Sequence, residues 1–398
     1  MDNLVNQDFY IEIFCRQRNH DGERICGDVF LKRRIKEENR TIIVLSDGMG
    51  HGVKANLLAT LTATMAMNFT QEHKDMERTA DIIMNTLPVC AERKISYSTF
   101  TIVDIAHDGE VKILEYDNPR ACLLRGAIPL PVKWEKIVME TENNKGKVLR
   151  ICTFHPRKDD RIVFYSDGVA QSGLGIDQYP FGWGEEAIND YIIELVKNKP
   201  DIAASTLASK IVTRAHKNDH YTSKDDTSCV AIYFRNPRKC LVCTGPPYEK
   251  KNDKILGNRV RDFRGFKIVS GATTSDIVAR ELGVEITDSF EFDDPDLPPV
   301  SFMDGVDLVT EGILTLSKVS DILKSYSNEV RLGNGPADRI VKLLLQSDEI
   351  HFIIGTRINI AHQDPNLPVD LEIRRTVIKR IARRLEDKFL KEVFLDYI

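Results

Sequence analysis

Two apolar runs in this chain end in the same three residues. Thr41 to Leu45 leads into Ser46, Asp47 and Gly48, and Arg161 to Tyr165 leads into Ser166, Asp167 and Gly168. Continuous β-branched and aromatic runs of this length predict strands buried on both faces. Each run therefore delivers a carboxylate to the lip of a buried strand, where a rigid backbone can aim it. Asp225 and Asp226 precede a third such run, Ser228 to Phe234, and Asp28 follows Gly27 ahead of a fourth apolar stretch.

Carboxylates gathered at one point repel one another, which raises their pKa values. Hard divalent cations such as Mg²⁺ or Mn²⁺ relieve that repulsion through oxygen ligands. Two such ions a few Å apart can share a hydroxide and hold a phosphoryl group. The glycine after each aspartate frees the backbone to turn, so that a carbonyl can also face a metal. Asp-Gly after a strand is equally an ordinary turn signal. On the residues alone, a metal site and a set of turns both stand.

The surrounding pattern is layered. Tyr97 to Ile105 and Val111 to Tyr116 predict strands joined at Asp108 and Gly109. Val53, Leu57, Leu61, Met65 and Phe69, with Leu58 beside them, predict a helix with one apolar face. A second helix is predicted over Ile202 to Ala215. Many short strands with few long helices imply α+β packing. Proline and glycine punctuation at Arg235–Arg238 and Thr244–Pro247 marks a boundary, giving domains over 1–238 and 239–398. In the second domain, Phe266–Leu282, Val306–Leu323 and Glu349–Thr356 each begin as a strand followed by a small polar loop, which predicts a smaller α/β domain. Gly271 to Ser275 could present backbone amides to an anion, or simply cap a helix through Thr or Ser. A last helix is predicted over Leu371 to Ile398, with Leu371, Ile378, Ile381, Leu385, Phe389 and Val393 on one side and a solvated basic face.

Composition excludes several classes. A chain of 398 residues can bury two cores, and 42% hydrophobic with 29% charged residues is the profile of a soluble protein. A net charge of −5 argues against electrostatic binding of nucleic acid by the whole chain. The opening residues lack a basic segment followed by an apolar core, and no apolar run is long enough to span a bilayer. A cytoplasmic location is expected. The eight cysteines are irregularly spaced and read as reduced thiols. Cys240 and Cys243 form one CxxC pair with no second pair to complete a zinc site, so two thiols in a strand are expected.

In order, Gly27–Asp28, Ser46–Gly52, Tyr97–Phe100, Ser166–Val169 and Asp225–Ser228 resemble the motifs of the PPM or PP2C phosphatases, in their bacterial sporulation-protein-E-like branch. The resemblance spans about residues 8–236. It implies a four-layer α-β-β-α sandwich carrying two Mn²⁺ or Mg²⁺ ions. It implies that Asp47 bridges both ions, that Asp28 and the Gly48 carbonyl serve one, and that Asp167 and Asp225 serve the other, with Asp226 as the alternative to Asp225. The implied activity is hydrolysis of phosphoserine or phosphothreonine on a regulatory protein by a hydroxide that the two metals activate. A partner of the anti-anti-sigma type is implied by analogy, and a homodimer is compatible.

One position departs from that pattern. Many eukaryotic members carry a histidine directly after the first Asp-Gly, proposed as a general acid. Here the residue is Met49, which cannot donate a proton. A metal-bound water or a donor on the substrate could supply the proton instead; His51 is also nearby, though Gly50–Gly52 could merely shape the turn. No clear basic residue matches the phosphate-binding arginine of eukaryotic members. Asp117 to Ala121 reads as a structural turn, and Tyr179 to Gly184 as a flap over the site. A catalytically silent binding module, or another metal-dependent phosphoesterase, are the competing readings.

Overall fold

A computed structural model describes residues 9–73, 76–86, 98–141, 144–289, 293–326, 331–357, 369–389 and 391–398. Cys90, Tyr97 and the side chain of Leu371 lie outside the described residues. The chain divides into two compact units, 1–236 and 237–398.

The first unit opens with strands β1 (Tyr10–Arg18), β2 (Val29–Ile35) and β3 (Arg40–Gly48), then helices α1 (Gly52–Gln71) and α2 (Met76–Thr86). Strands β4 (Ser98–Ile105), β5 (Val111–Tyr116), β6 (Cys122–Arg125), β7 (Ile128–Pro129), β8 (Glu135–Val138), β9 (Val148–Phe154) and β10 (Asp160–Tyr165) follow. Helices α3 (Asp167–Ala170), α4 (Glu185–Asn198) and α5 (Ala204–Asn218) precede the final strand β11 (Thr227–Arg235). One sheet runs β2-β3-β4-β5-β9-β8 and the other β1-β11-β10-β6-β7.

Three apolar interfaces stack these elements into four layers. Ala63, Ala66 and Met67 of α1 and Ile83 of α2 pack on Ile42, Val44 and Ile102 of the first sheet. The opposite faces of the two sheets meet through Ile43, Leu45 and Val103 on one side and Ile162, Phe164 and Ile232 on the other. Val163, Tyr165 and Ala231 then bury Ile188, Ile192, Leu207 and Ile211 of α4 and α5. The result is the expected α-β-β-α sandwich. The side-chain period of two explains it: alternate residues of β3 and β10 face different layers, so every position is apolar.

The face of α1 differs from the sequence reading. Val53, Leu57 and Leu61 are exposed, while Ala55, Ala59, Ala63 and Ala66 are buried. Small side chains let the helix lie close to β3, and the larger i+4 repeat is left facing outward. Only Met65 and Phe69 of the predicted stripe pack against the core.

The second unit contains β12 (Lys239–Thr244), α6 (Asp253–Asp262), β13 (Phe266–Ser270), α7 (Ala272–Leu282), β14 (Ile286–Asp288), β15 (Ser301–Met303) and β16 (Val306–Thr310). After these come α8 (Ile313–Ser325), α9 (Pro336–Gln346), β17 (Glu349–Ile354), α10 (Val369–Phe389) and β18 (Glu392–Tyr397). Its sheet runs β14-β15-β16-β13-β12-β17-β18, and the five strands from β16 to β18 in that order are parallel. Helices α6 and α7 cover one face; α8, α9 and α10 cover the other.

Two expectations change here, and the reading of Cys240 and Cys243 as two thiols in a strand stands. The predicted last helix stops at Phe389, and Glu392–Tyr397 instead pairs with β17. Phe394 and Leu395 stand opposite His351 and Phe352, so the alternation there has the period of a strand. Cys240 packs under one layer of helices and Cys243 under the other, so the two thiols lie on opposite faces and cannot hold one ion together. No Thr or Ser side chain caps α7: its cap is Gly271, and the Ser275 hydroxyl donates back to the Gly271 carbonyl at 3.0 Å. No helix among the described residues is long and apolar enough to cross a membrane.

Candidate metal centre

The two Ser-Asp-Gly copies end their strands differently. Asp47 and Gly48 remain in the ladder of β3, opposite Thr99 and Ser98 of β4. The Ser98 hydroxyl donates to the Asp47 carbonyl at 2.9 Å and lies 2.7 Å from the Ser46 hydroxyl. In the second copy β10 stops at Tyr165, and Asp167 opens the single turn of α3. Gln171, one turn on, donates through Nε2 to Asp167 Oδ2 at 2.8 Å.

Cross-strand contacts draw the remaining acids in. The amide of Ser228 donates to Ser166 Oγ at 2.9 Å, and the amide of Ser166 to the Ser228 carbonyl at 3.0 Å. These bonds bring Asp167 to the start of β11, where Asp225 and Asp226 sit. Gly168 lies so close to this segment that a Cβ would stand 2.2 Å from the Asp226 carbonyl oxygen. Gln17 of β1 donates to both the Asp28 carbonyl and Ser228 Oγ at 3.1 Å, which ties the Asp28 loop to β11. A Cβ on Gly27 would stand 2.6 Å from Asp226 Oδ2. At Gly48 a Cβ would fall 2.1 Å from the Ala55 carbonyl oxygen in α1.

The five aspartates share one electrostatic neighbourhood. Burial raises the pKa of Asp28 to about 7; the Ser228 and Ser166 hydroxyls offset part of this, and the Asp226 and Asp225 charges add to it. Asp47 is pushed well above the carboxylate range by burial and by Asp28, Asp167 and Asp225. Asp225 rises to about 6 through burial and the charge of Asp167, with a smaller lift from Asp226. Both carboxylate oxygens of Asp28, and Oδ2 of Asp226, are buried without a hydrogen-bond partner. Asp226 Oδ1 accepts from the His20 amide at 3.0 Å, and Asp225 Oδ1 from the Asp226 amide at 2.8 Å.

This donor set is all oxygen, largely buried and partly unpartnered, which fits a hard divalent cation. As placed, no three acidic, imidazole or thiol groups among the described residues close around a single ion. The site thus holds the donors in one neighbourhood without forming a finished cage.

Several neighbours gave no sequence signal. His20 stacks on His51 with ring centroids 4.3 Å apart, and His51 Nδ1 lies 2.8 Å from Glu23 Oε1. Glu23 also fills the space beside Gly52, at the start of α1. Met49 is half-buried. The Asp117 turn has a left-handed backbone, and the buried Asn118 side chain bonds Thr99 and Thr101 hydroxyls at 2.5 and 3.0 Å. The segment Tyr179–Gly184 is anchored by buried Trp183 and leaves Phe181 91% exposed.

The sequence model of the family described as Stage II sporulation protein E (SpoIIE) matches residues 37–235, half of the chain. No curated protein matches the sequence. Among solved structures, the chain is similar to the phosphatase domain of the cell fate determinant SpoIIE from Bacillus subtilis. That likeness has 14% identity over 58% of this chain and 94% of that one, with a TM-score of 0.43. The RsbU and RsbW domains of a Mycobacterium tuberculosis protein align at 15% identity over 69% of this chain and 71% of that one, with a TM-score of 0.45. The catalytic domain of the serine/threonine phosphatase PstP, in complex with two manganese ions, aligns at 13% identity over 57% of this chain and all of that one, with a TM-score of 0.38. With half of its length matched by that family's sequence model, the chain belongs to the SpoIIE family.

Proposed function

We propose that residues 1–238 form a metal-dependent phosphatase that hydrolyses phosphoserine or phosphothreonine on a regulatory protein, one of the anti-anti-sigma type by analogy. The observation that carries this is the set of buried, unpartnered oxygens on Asp28 and Asp226 within a cluster of five aspartates. A protein does not keep such a cluster for stability, because each buried charge without a partner costs free energy. Asp28, Asp47, Asp167, Asp225 and the Gly48 carbonyl are the ligands in this assignment, with Asp226 beside them.

Two Mn²⁺ or Mg²⁺ ions bound there would neutralise charge on the phosphoryl oxygens and lower the pKa of a water. The protein's own share is positional. The Ser166–Ser228 bonds and the Gln17 bridge tie the Asp28 loop, the Asp167 turn and the start of β11 together, and Gln171 orients Asp167. The leaving alkoxide needs a proton that Met49 cannot give. We assign that proton to His51, which Glu23 orients and His20 supports by stacking. Residues 239–398 are assigned a ligand-sensing or assembly role that regulates turnover. A truncation ending near residue 238 that leaves activity, oligomeric state and ligand response unchanged would remove that role.

The deciding experiment is hydrolysis of an aryl phosphate in Mn²⁺ by the wild type and by Asp47→Asn. Activity that depends on both Mn²⁺ and Asp47 is expected. No such activity would leave a silent binding module, and cleavage of nucleic acid in the same assay would favour a different phosphoesterase.

A further inference from the structure

Helix α5 carries no acidic residue along Ala204–Asn218, although the whole chain is acidic. Its outer face, with Tyr191 of α4, lines an open groove of about 560 Å³. Lys210, Arg214 and Lys217 stand along it at i, i+4 and i+7, a span of about 10 Å at the rise of a helix. None of the three forms an ion pair among the described residues.

The groove is partly preorganised. Arg214 donates from Nε to Asn218 Oδ1 at 3.2 Å and from Nη2 to the Tyr179 hydroxyl at 3.3 Å. Its guanidinium also lies 5.7 Å from the Tyr191 ring centroid. A guanidinium held this way loses little freedom on meeting a carboxylate. The hydroxyls of Ser209 and Thr213 also line the groove and have no partner among the described residues. By contrast, Thr62 and Thr86 turn back onto carbonyls of their own helices at 2.8 Å.

We propose that the groove on α5 docks an acidic segment of a partner protein. Cations without ion-pair partners, unpartnered hydroxyls and the Tyr191 ring suit carboxylate side chains on an extended peptide. Three cations on one helix face make too small a footprint for a nucleic-acid backbone. Docking there also bears on the segment Tyr179–Gly184, since Arg214 holds Tyr179 and the amide of Gly173 donates to Asp219 Oδ1 at 2.7 Å just beyond the end of α5.

Binding is measured without turnover, so this inference can fail while the phosphatase assignment stands, and the reverse. The probe is a fluorescein-labelled peptide of glutamates, followed by anisotropy on the full chain at low ionic strength and at about 0.15 M salt. The wild type is expected to bind, more weakly in salt, and Lys210→Glu with Lys217→Glu to lose at least about tenfold in affinity. Both lysines are exposed, and matched unfolding curves verify the fold; Lys210→Gln with Lys217→Gln is the milder pair should they differ. No binding by the wild type, or equal binding by the variants, overturns the proposal. So does binding of phosphatidylserine vesicles or inorganic phosphate, lost in the variants, with no binding of the peptide.

Discussion

Gly48 and Ala55 meet backbone to backbone, with room for no side chain between them: a Cβ on Gly48 would stand 2.1 Å from the Ala55 carbonyl oxygen. The end of β3 and the first turn of α1 are thereby held as one piece around the Asp47 motif. Gly48→Ala must push the helix off the strand. A loss of about 1–3 kcal/mol in urea unfolding is expected, together with loss of Mn²⁺-dependent turnover. Unchanged stability would mean that α1 is free to move away.

His51 offers a test through the leaving group. A nitrophenolate departs without a proton, whereas a serine alkoxide does not. His51→Gln should slow a phosphoserine peptide about a hundredfold and nitrophenyl phosphate only a few-fold. Equal slowing of both substrates would reduce His51 and Glu23 to a structural brace for α1.

Glu115 sets a pH dependence away from the metal ligands. It faces Arg150 across β5 and β9 at 3.1 Å and accepts from the Ala121 amide at 2.7 Å. Burial nonetheless raises its pKa from 4.5 to about 7. A carboxyl with a raised folded-state pKa binds its proton more tightly in the native state. Its contribution is complete below about pH 4.5 and is lost as pH rises through about 7. Urea midpoints of the metal-free protein should fall between pH 5 and pH 8, and Glu115→Gln should flatten part of that slope. An identical slope in the variant would exclude Glu115 as a source.

The orientation of α1 can be tested by a pair of substitutions. Leu57→Gln, on the exposed side, should change stability by less than about 0.5 kcal/mol. Ala59→Leu, on the side against β3, should cost about 1–3 kcal/mol. The opposite ranking would restore the face inferred from the i+4 repeat.

These cases show what local sequence carries and what it does not. Asp47 and Asp167 were legible because an unbroken apolar run announces a buried strand, and the residue after it must lie at an edge. The face of α1 was misread because size misleads: Ala55 and Ala59 bury better than Leu57 and Leu61 where a helix approaches a sheet closely. The spacing of Phe389 and Val393 suits a helix or a strand, so local sequence does not separate Glu392–Tyr397 from the helix before it. Gln17, His20, Glu23 and Ser98 were invisible. Each is a single polar residue whose partner is remote in sequence, such as Asp226 for the amide of His20. The register between β1 and β11 sets Gln17 opposite Ser228, and that between β3 and β4 sets Ser98 opposite Gly48.

That register has a consequence during synthesis. Tyr10 pairs with Arg235 and Arg18 with Thr227, so the first strand of this unit to be made waits for the unit's last strand. The nascent chain can form the six-stranded sheet early, but the second sheet cannot close until residue 235 is exposed. Asp28 and Asp226 meet only at that closure, which makes the acidic centre the last part of the unit to be assembled rather than a seed around which it folds.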